Sequence, residues 1–262
     1  MGDIVNQIPA PCTMPDSATV SPSSRRVERV RHELRRRDLA VLRVTDLGPH
    51  LRSIVFGGPE LEGFVSASFD DHVKVFVPAG NGETVGRDYT PRRYDAAAGE
   101  LTIDFVLHGH GPAATWAAQA QPGQRLVVGG PRGSFIIPVD VDWHLLVGDA
   151  SALPAITRRL EELPAGSRVM AALQVADPAD RPALPSAATV DLQWVTSADE
   201  LLHAVRALEL PAGEGYAWCA GEAVTTAALR RILVEEKGHD RHAIRAAAYW
   251  KHGTGGHHEN LE

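Results

Sequence analysis

Arg87, Asp88, Tyr89 and Thr90 place a guanidinium, a flat phenol and a hydroxyl at the end of an extended stretch. Alternate side chains of a strand share a face, so Arg87 and Tyr89 point the same way. A guanidinium fork beside an aromatic face suits a ligand that joins phosphate to a flat ring, and a flavin nucleotide is such a ligand. Short Arg/Tyr/Thr clusters also occur on strands that only pair or cap, so the surroundings must decide. Further along, His108-Gly109-His110-Gly111-Pro112-Ala113-Ala114-Thr115 carries an extended run into a helix with proline in its first turn. Unpaired backbone N–H groups and small side chains from Gly111 to Thr115 make an anion cradle that a pyrophosphate can approach closely. The two segments together favour flavin binding.

Three further turns bear on the same chemistry. Gly129-Gly130-Pro131-Arg132-Gly133-Ser134 permits a tight turn that presents Arg132 either to a crevice or to backbone carbonyls. Gly148-Asp149-Ala150-Ser151 follows an apolar strand and opens a helix, the place where open α/β sheets take nucleotides. It lacks the Gly-x-Gly-x-x-Gly fingerprint, which counts against a standard dinucleotide site. Gly221 and Glu222 repeat the strand-to-helix logic later and close the other side of that crevice. A flavin domain joined to a pyridine-nucleotide domain transfers reducing equivalents from a two-electron donor to one-electron acceptors. Such chemistry needs no acid/base triad, and none with convincing spacing is present.

These turns have to be held by two kinds of element. From about 38 to 136 the apolar residues recur with period two, as in Val73, Val75 and Val77 or Leu101, Ile103 and Phe105. Gly- and Pro-rich turns punctuate them, so an antiparallel β barrel with one helix near Pro112–Ala120 is expected. After Pro138, apolar strands alternate with amphipathic helices near Leu153–Leu163, Ala198–Leu208 and Val224–Lys237, the pattern of an α/β domain with a parallel sheet. The expected domains are a flexible leader at 1–24, a barrel at 25–137, an α/β domain at 138–252 and a tail at 253–262.

Composition narrows the classes. The chain has 262 residues, 44% of them hydrophobic, which is ample for globular cores. No run approaches the roughly 20 apolar residues of a membrane span, and no secretory leader is evident, so a cytoplasmic location is expected. A formal charge of −7 argues against nonspecific nucleic-acid binding. Cys12 and Cys219 suggest neither a disulfide framework nor a thiolate metal site. His239, His242, His252, His257 and His258 match no set of four ligands and read as solvated, so no metal site is assigned. Between Arg25 and Arg37 seven of thirteen residues are Arg, which reads as a solvated helix or linker, with an anion-facing edge as the alternative.

From Val30 to Lys251 the chain resembles the siderophore-interacting protein family of FAD-dependent ferric-siderophore reductases. The resemblance is carried by Phe69-Asp70-Asp71-His72-Val73-Lys74, Arg87-Asp88-Tyr89-Thr90-Pro91, Asp104-Phe105-Val106-Leu107-His108, Gly130-Pro131-Arg132-Gly133-Ser134, Ala220-Gly221-Glu222 and Tyr249-Trp250. It implies a ferredoxin-reductase-like fold, bound FAD, NADPH or NADH as donor, and release of Fe(II) from a ferric siderophore by a protein expected to be monomeric. It further implies that Arg87, Asp88, Tyr89, Thr90, Asp104, Val106, His108 and Gly111–Thr115 hold the flavin. Asp149, Ala150, Ser151, Gly221, Glu222 and Trp250 then serve the nucleotide side, and Lys74, Arg132 and Arg245 receive the anionic chelate. Arg181 is the candidate for the NADPH 2′-phosphate. Ala150, Ser151 and Ala248 depart from the residues commoner at those positions. Two rivals stay open: a flavin reductase for another acceptor, and a siderophore-binding module without turnover.

Overall fold

The computed structural model describes residues 26–79, 82–107, 111–254, 256 and 259–261. The first half runs β1 (Glu28–Arg31), β2 (Arg36–Gly48), β3 (Leu51–Gly57), β4 (Val73–Pro78), β5 (Thr84–Tyr89), β6 (Arg93–Asp95), β7 (Glu100–Val106), α1 (Pro112–Ala118), β8 (Arg125–Gly129) and β9 (Gly133–Ile136). Seven of these strands form one antiparallel sheet in the order β5-β4-β8-β2-β3-β7-β6, which curls around Leu39, Ile54, Phe56, Val75, Ile103 and Phe105. Each of these is fully buried, as the period-two pattern requires.

The second half runs β10 (Trp143–Gly148), α2 (Leu153–Glu162), β11 (Arg168–Gln174), β12 (Thr189–Val195), α3 (Ala198–Ala207), β13 (Gly215–Glu222), α4 (Ala223–Arg231), β14 (Ile244–Trp250) and β15 (Glu259–Leu261). The sheet order is β12-β11-β10-β13-β14-β15, parallel throughout except for β15 at the edge. Buried on both faces, β10 is apolar at nearly every position, as central parallel strands are. The strand order turns between β10 and β13, so the crevice of an open sheet lies at their carboxyl ends. Among the described residues no helix is long and apolar enough to cross a membrane.

Two expectations need correction. The Arg-rich segment contains a strand in place of the expected helix or linker: Glu28–Arg31 pairs antiparallel with Gly133–Ile136, residues 32–35 form a short irregular link, and Arg36 opens β2. Its partner strand lies about a hundred residues away in sequence, beyond the reach of local periodicity. Within it Arg37 is buried, donates to the Gly130 carbonyl at 3.0 Å and stacks 5.2 Å from Phe64. Nor is His239 solvated: it packs 5.4 Å from Trp143 and its Nε2 lies 2.9 Å from the Ala243 carbonyl. Cys12, His257, His258 and the expected leader lie outside the described residues.

The two halves share one apolar cluster, in which Leu51, Phe69 and Ile137 join Leu153, Tyr216 and Trp218. Polar clamps lock its rim. Arg158 donates to the Ser66 hydroxyl at 2.8 Å and the Pro91 carbonyl at 2.9 Å. Arg92 forks onto Glu161 at 2.6 and 2.7 Å, and His50 pairs with Asp180 at 2.8 Å.

Burial and the nearby Arg159 guanidinium push the His144 imidazole down to about 4. Its neutral form is therefore the folded form. The associated stability is complete above the free value near 6.5 and is lost as pH falls from there to about 4, a linkage of roughly 3 kcal/mol. Denaturant titrations at stepped pH should show this loss, and a His144→Gln variant should show a flatter profile across the same window.

Candidate functional site

A cavity of about 370 Å³ opens between the barrel and the carboxyl end of the parallel sheet. Its wall contains Arg87, Asp88, Tyr89, Thr90, Asp104, Val106, Gly111, Pro112, Ala113 and Ala114 from the barrel, with Ser151 and Trp250 from the sheet. Register explains the first group. Arg87 pairs with Val75 and Tyr89 with Val73, so both turn toward the barrel interior, and Tyr89 rests 4.4 Å from the Phe105 ring. Burial raises the Tyr89 phenol far above its ordinary value, so it stays protonated. Asp88, one residue out of phase, faces the opposite way and binds Lys74 at 2.8 Å.

Several groups in this wall fit a flavin nucleotide. Asp104 is buried, its Oδ1 has no hydrogen-bond partner among the described residues, and burial raises its carboxyl above the usual range against the pull of Ser53 and Arg92. A buried carboxyl group with one open oxygen suits a polar ligand edge. Among the described residues no side chain caps α1 at Gly111, and Pro112 follows at the first turn, a helix start whose backbone N–H groups can meet a ligand. Thr115 lies one position beyond the wall, its N–H bonded to Gly111. Arg87 donates to the Gly86 carbonyl at 2.8 Å, which still leaves donors of its fork available. His108 lies outside the described residues.

Sequence-assigned nucleotide residues gather at the β10/β13 crevice, where they bind mainly one another. Asp149 accepts from the Ser151 N–H (2.9 Å) and hydroxyl (2.5 Å), from the Glu222 N–H (2.9 Å) and from the Trp250 indole (2.9 Å). Glu222 turns back to cap α4, accepting from the Val224 and Thr225 N–H groups. Ala150 packs on the apolar core. A Cβ on Gly221 would lie 2.5 Å from Asp149 Oδ2, at a φ of +148°, so glycine alone fits there. Arg181 is exposed and its guanidinium lies 5.6 Å from the Trp194 ring.

A second cavity, about 490 Å³, shares His72 and Asp88 with the first and is lined by Lys74, Arg132 and Arg245 together. The three cations come from β4, from the β8–β9 turn and from β14. Two of them are already paired: Lys74 with Asp88, and Arg245 with Asp70 at 2.5 Å while stacking 4.4 Å from Phe135. Asp70 is the residue whose role sequence patterns did not reveal. It accepts from both Arg245 and the Trp218 indole (2.9 Å), and only its place in an Asp-Asp-His run drew notice.

The comparisons with known proteins meet this geometry. The model for "Siderophore-interacting protein" matches residues 141–253, and that for "Siderophore-interacting FAD-binding domain" matches 40–85 and 79–135. The chain belongs to the siderophore-interacting protein family. Within it, the chain is 38% identical over 245 residues to the NADPH-dependent ferric-chelate reductase of Escherichia coli (strain K12), covering 85% of this chain and 96% of that protein. It is 33% identical over 256 residues to the ferric vibriobactin reductase ViuB of Vibrio cholerae, covering 88% and 93%. A solved siderophore utilization protein from T. fusca superposes with a TM-score of 0.81 at 37% identity, covering 90% of this chain and 99% of that one. The fold is ferredoxin-reductase-like, as the family implies.

Gly221→Ala should destabilise the protein by about 1–3 kcal/mol through strain and displacement of Asp149, and should change Trp250 fluorescence, both readable in one thermal melt. Arg87→Ala should weaken FAD retention about tenfold or more if its guanidinium meets the flavin phosphate, measured by flavin released on dialysis.

Proposed function

We propose that this chain reduces ferric siderophores, drawing on NADPH or NADH through FAD and delivering electrons to iron held in the cationic cavity. The observation that carries the reading is the wall of His72 and Asp88 common to both cavities, which sets the cavity lined by Arg87, Tyr89 and Asp104 against a cation-lined one. A shared wall of this kind supports electron transfer between neighbours rather than passage of a bound intermediate.

In this reading Arg87 and the backbone at Gly111–Ala114 bind phosphate, the Tyr89 face and Thr90 hold the flat ring system, and Asp104 meets a polar edge. Bound FAD supplies the conversion of a two-electron donor into single-electron deliveries. Lys74, Arg132 and Arg245 orient the anionic chelate and keep its iron near the shared wall. Each Fe(III) takes one electron, and the Fe(II) formed is held weakly by hard anionic oxygen donors. The crevice at Asp149, Ser151, Gly221 and Glu222 receives the donor nucleotide, with Arg181 near its adenosine end. A cytoplasmic, monomeric protein with no nucleic-acid partner completes the proposal.

Mixing FAD-loaded protein anaerobically with NADPH or NADH should bleach the flavin. Adding a ferric siderophore should restore its colour while a ferrous trap develops absorbance. Arg132→Ala should slow that second phase without slowing the first. Faster reoxidation by a ferredoxin or a quinone than by every ferric chelate tested would assign the protein a different acceptor.

A further inference from the structure

The Arg-rich segment that opens the chain's first sheet supplies a wall of the cationic cavity. Leu34, Arg36 and Phe76 line it together with Lys74, Arg132 and Arg245, and Arg36 and Lys74 flank Gly129 on the two strands that neighbour β8. The Arg36 guanidinium lies over the Phe76 ring at 4.4 Å. A stacked guanidinium keeps its in-plane N–H donors for a ligand while the ring fixes its orientation. The space is kept clear by Gly129, where an added Cβ would lie 3.1 Å from the Phe76 ring. Leu34, 59% exposed, adds apolar surface at the rim.

Charge bookkeeping gives this wall its importance. Lys74 is neutralised by Asp88 and Arg245 by Asp70, at 2.8 and 2.5 Å. The remaining carboxylate of the lining, Asp71, is buried and accepts from the Ser66 and Ser134 hydroxyls and the Ser68 N–H. Among the described residues, no ion pair engages Arg36 or Arg132. Arg36 and Arg132 are therefore the two lining cations that no carboxylate engages at ion-pair distance among the described residues, and they are the ones left to meet an incoming anion.

We propose that Arg36, held on Phe76, is a substrate-binding residue that selects polyanionic aryl-oxygen chelates of trivalent metal over uncharged chelates. A tris-catecholate complex of a trivalent metal is trianionic and presents flat aryl faces, whereas a tris-hydroxamate complex is neutral. The first gains from the Arg36 charge and from the Phe76 and Leu34 surface; the second gains little from the charge. The inference rests on the reading of this cavity as the chelate site.

The test is a binding measurement with redox-inert gallium(III) complexes, titrated calorimetrically into FAD-loaded protein. The wild type should bind the tris-catecholate more tightly than the tris-hydroxamate. Arg36→Gln should shrink that Kd ratio about tenfold, the loss of one charge-assisted contact. Arg36→Lys should restore part of it, and added salt should erode the ratio more in the wild type than in Arg36→Gln. Unchanged FAD content in the variants reports an intact fold. A Kd ratio that Arg36→Gln leaves unaltered, or a wild type that binds both complexes equally, overturns the inference. Tight gallium binding without reduction of the iron complex would instead overturn the reductase reading and leave this one standing.

Discussion

Asp70 is a carboxylate almost sealed from water, facing donors contributed by the other half of the chain. Its two oxygens accept from the Trp218 indole and the Arg245 guanidinium, which extend from β13 and β14. Loss of Arg245 leaves a buried charge uncompensated, a cost of about 3–5 kcal/mol, and loss of the Trp218 indole leaves one buried oxygen without its donor, so the two contacts together hold the halves in one relative position. The same contact orients Arg245 over Phe135 on the wall of the cationic cavity. Docking of the halves and assembly of the cationic cavity thus depend on one interaction.

The surrounding interface reinforces it by different physics. Phe69 packs tilted against Trp218 with ring centroids 5.4 Å apart, and Arg159 lies over the Phe69 ring at 4.9 Å while donating to the Pro138 carbonyl. The apolar cluster that spans both halves supplies nondirectional stabilisation, and the guanidinium clamps from Arg92 and Arg158 supply register. A cavity formed between two halves keeps its shape only if neither can slide, and the mixture of packing and forked hydrogen bonds provides that constraint.

The crevice side follows another economy. Asp149 accepts four hydrogen bonds and so joins the turn after β10 to the ends of β13 and β14. Its carboxylate is structural in the first instance: it fixes Ser151 and Trp250 on the wall of the first cavity. Glu222, by capping α4, does for its helix what a ligand phosphate does in other nucleotide-binding turns. The motif positions are therefore informative about where the crevice is, while their side chains act largely on one another.

What the sequence determined by itself was local. Period-two strands, helices opened by Pro112 and Pro154, and the turn after Gly148 follow from side-chain alternation and backbone stereochemistry, and each lies where those rules put it. Arg87 and Tyr89 share a face for the same reason. Tertiary structure alone decided what depends on distant partners: the pairing of Arg-rich β1 with β9, the burial of Asp70 between halves, and the neutralisation of Lys74 and Arg245 that leaves Arg36 and Arg132 to carry the cavity's charge. Local patterns are read along the chain at the period of a strand or helix. A charge's effect is set instead by whatever stands within a few ångströms of it, and only the fold chooses that neighbour.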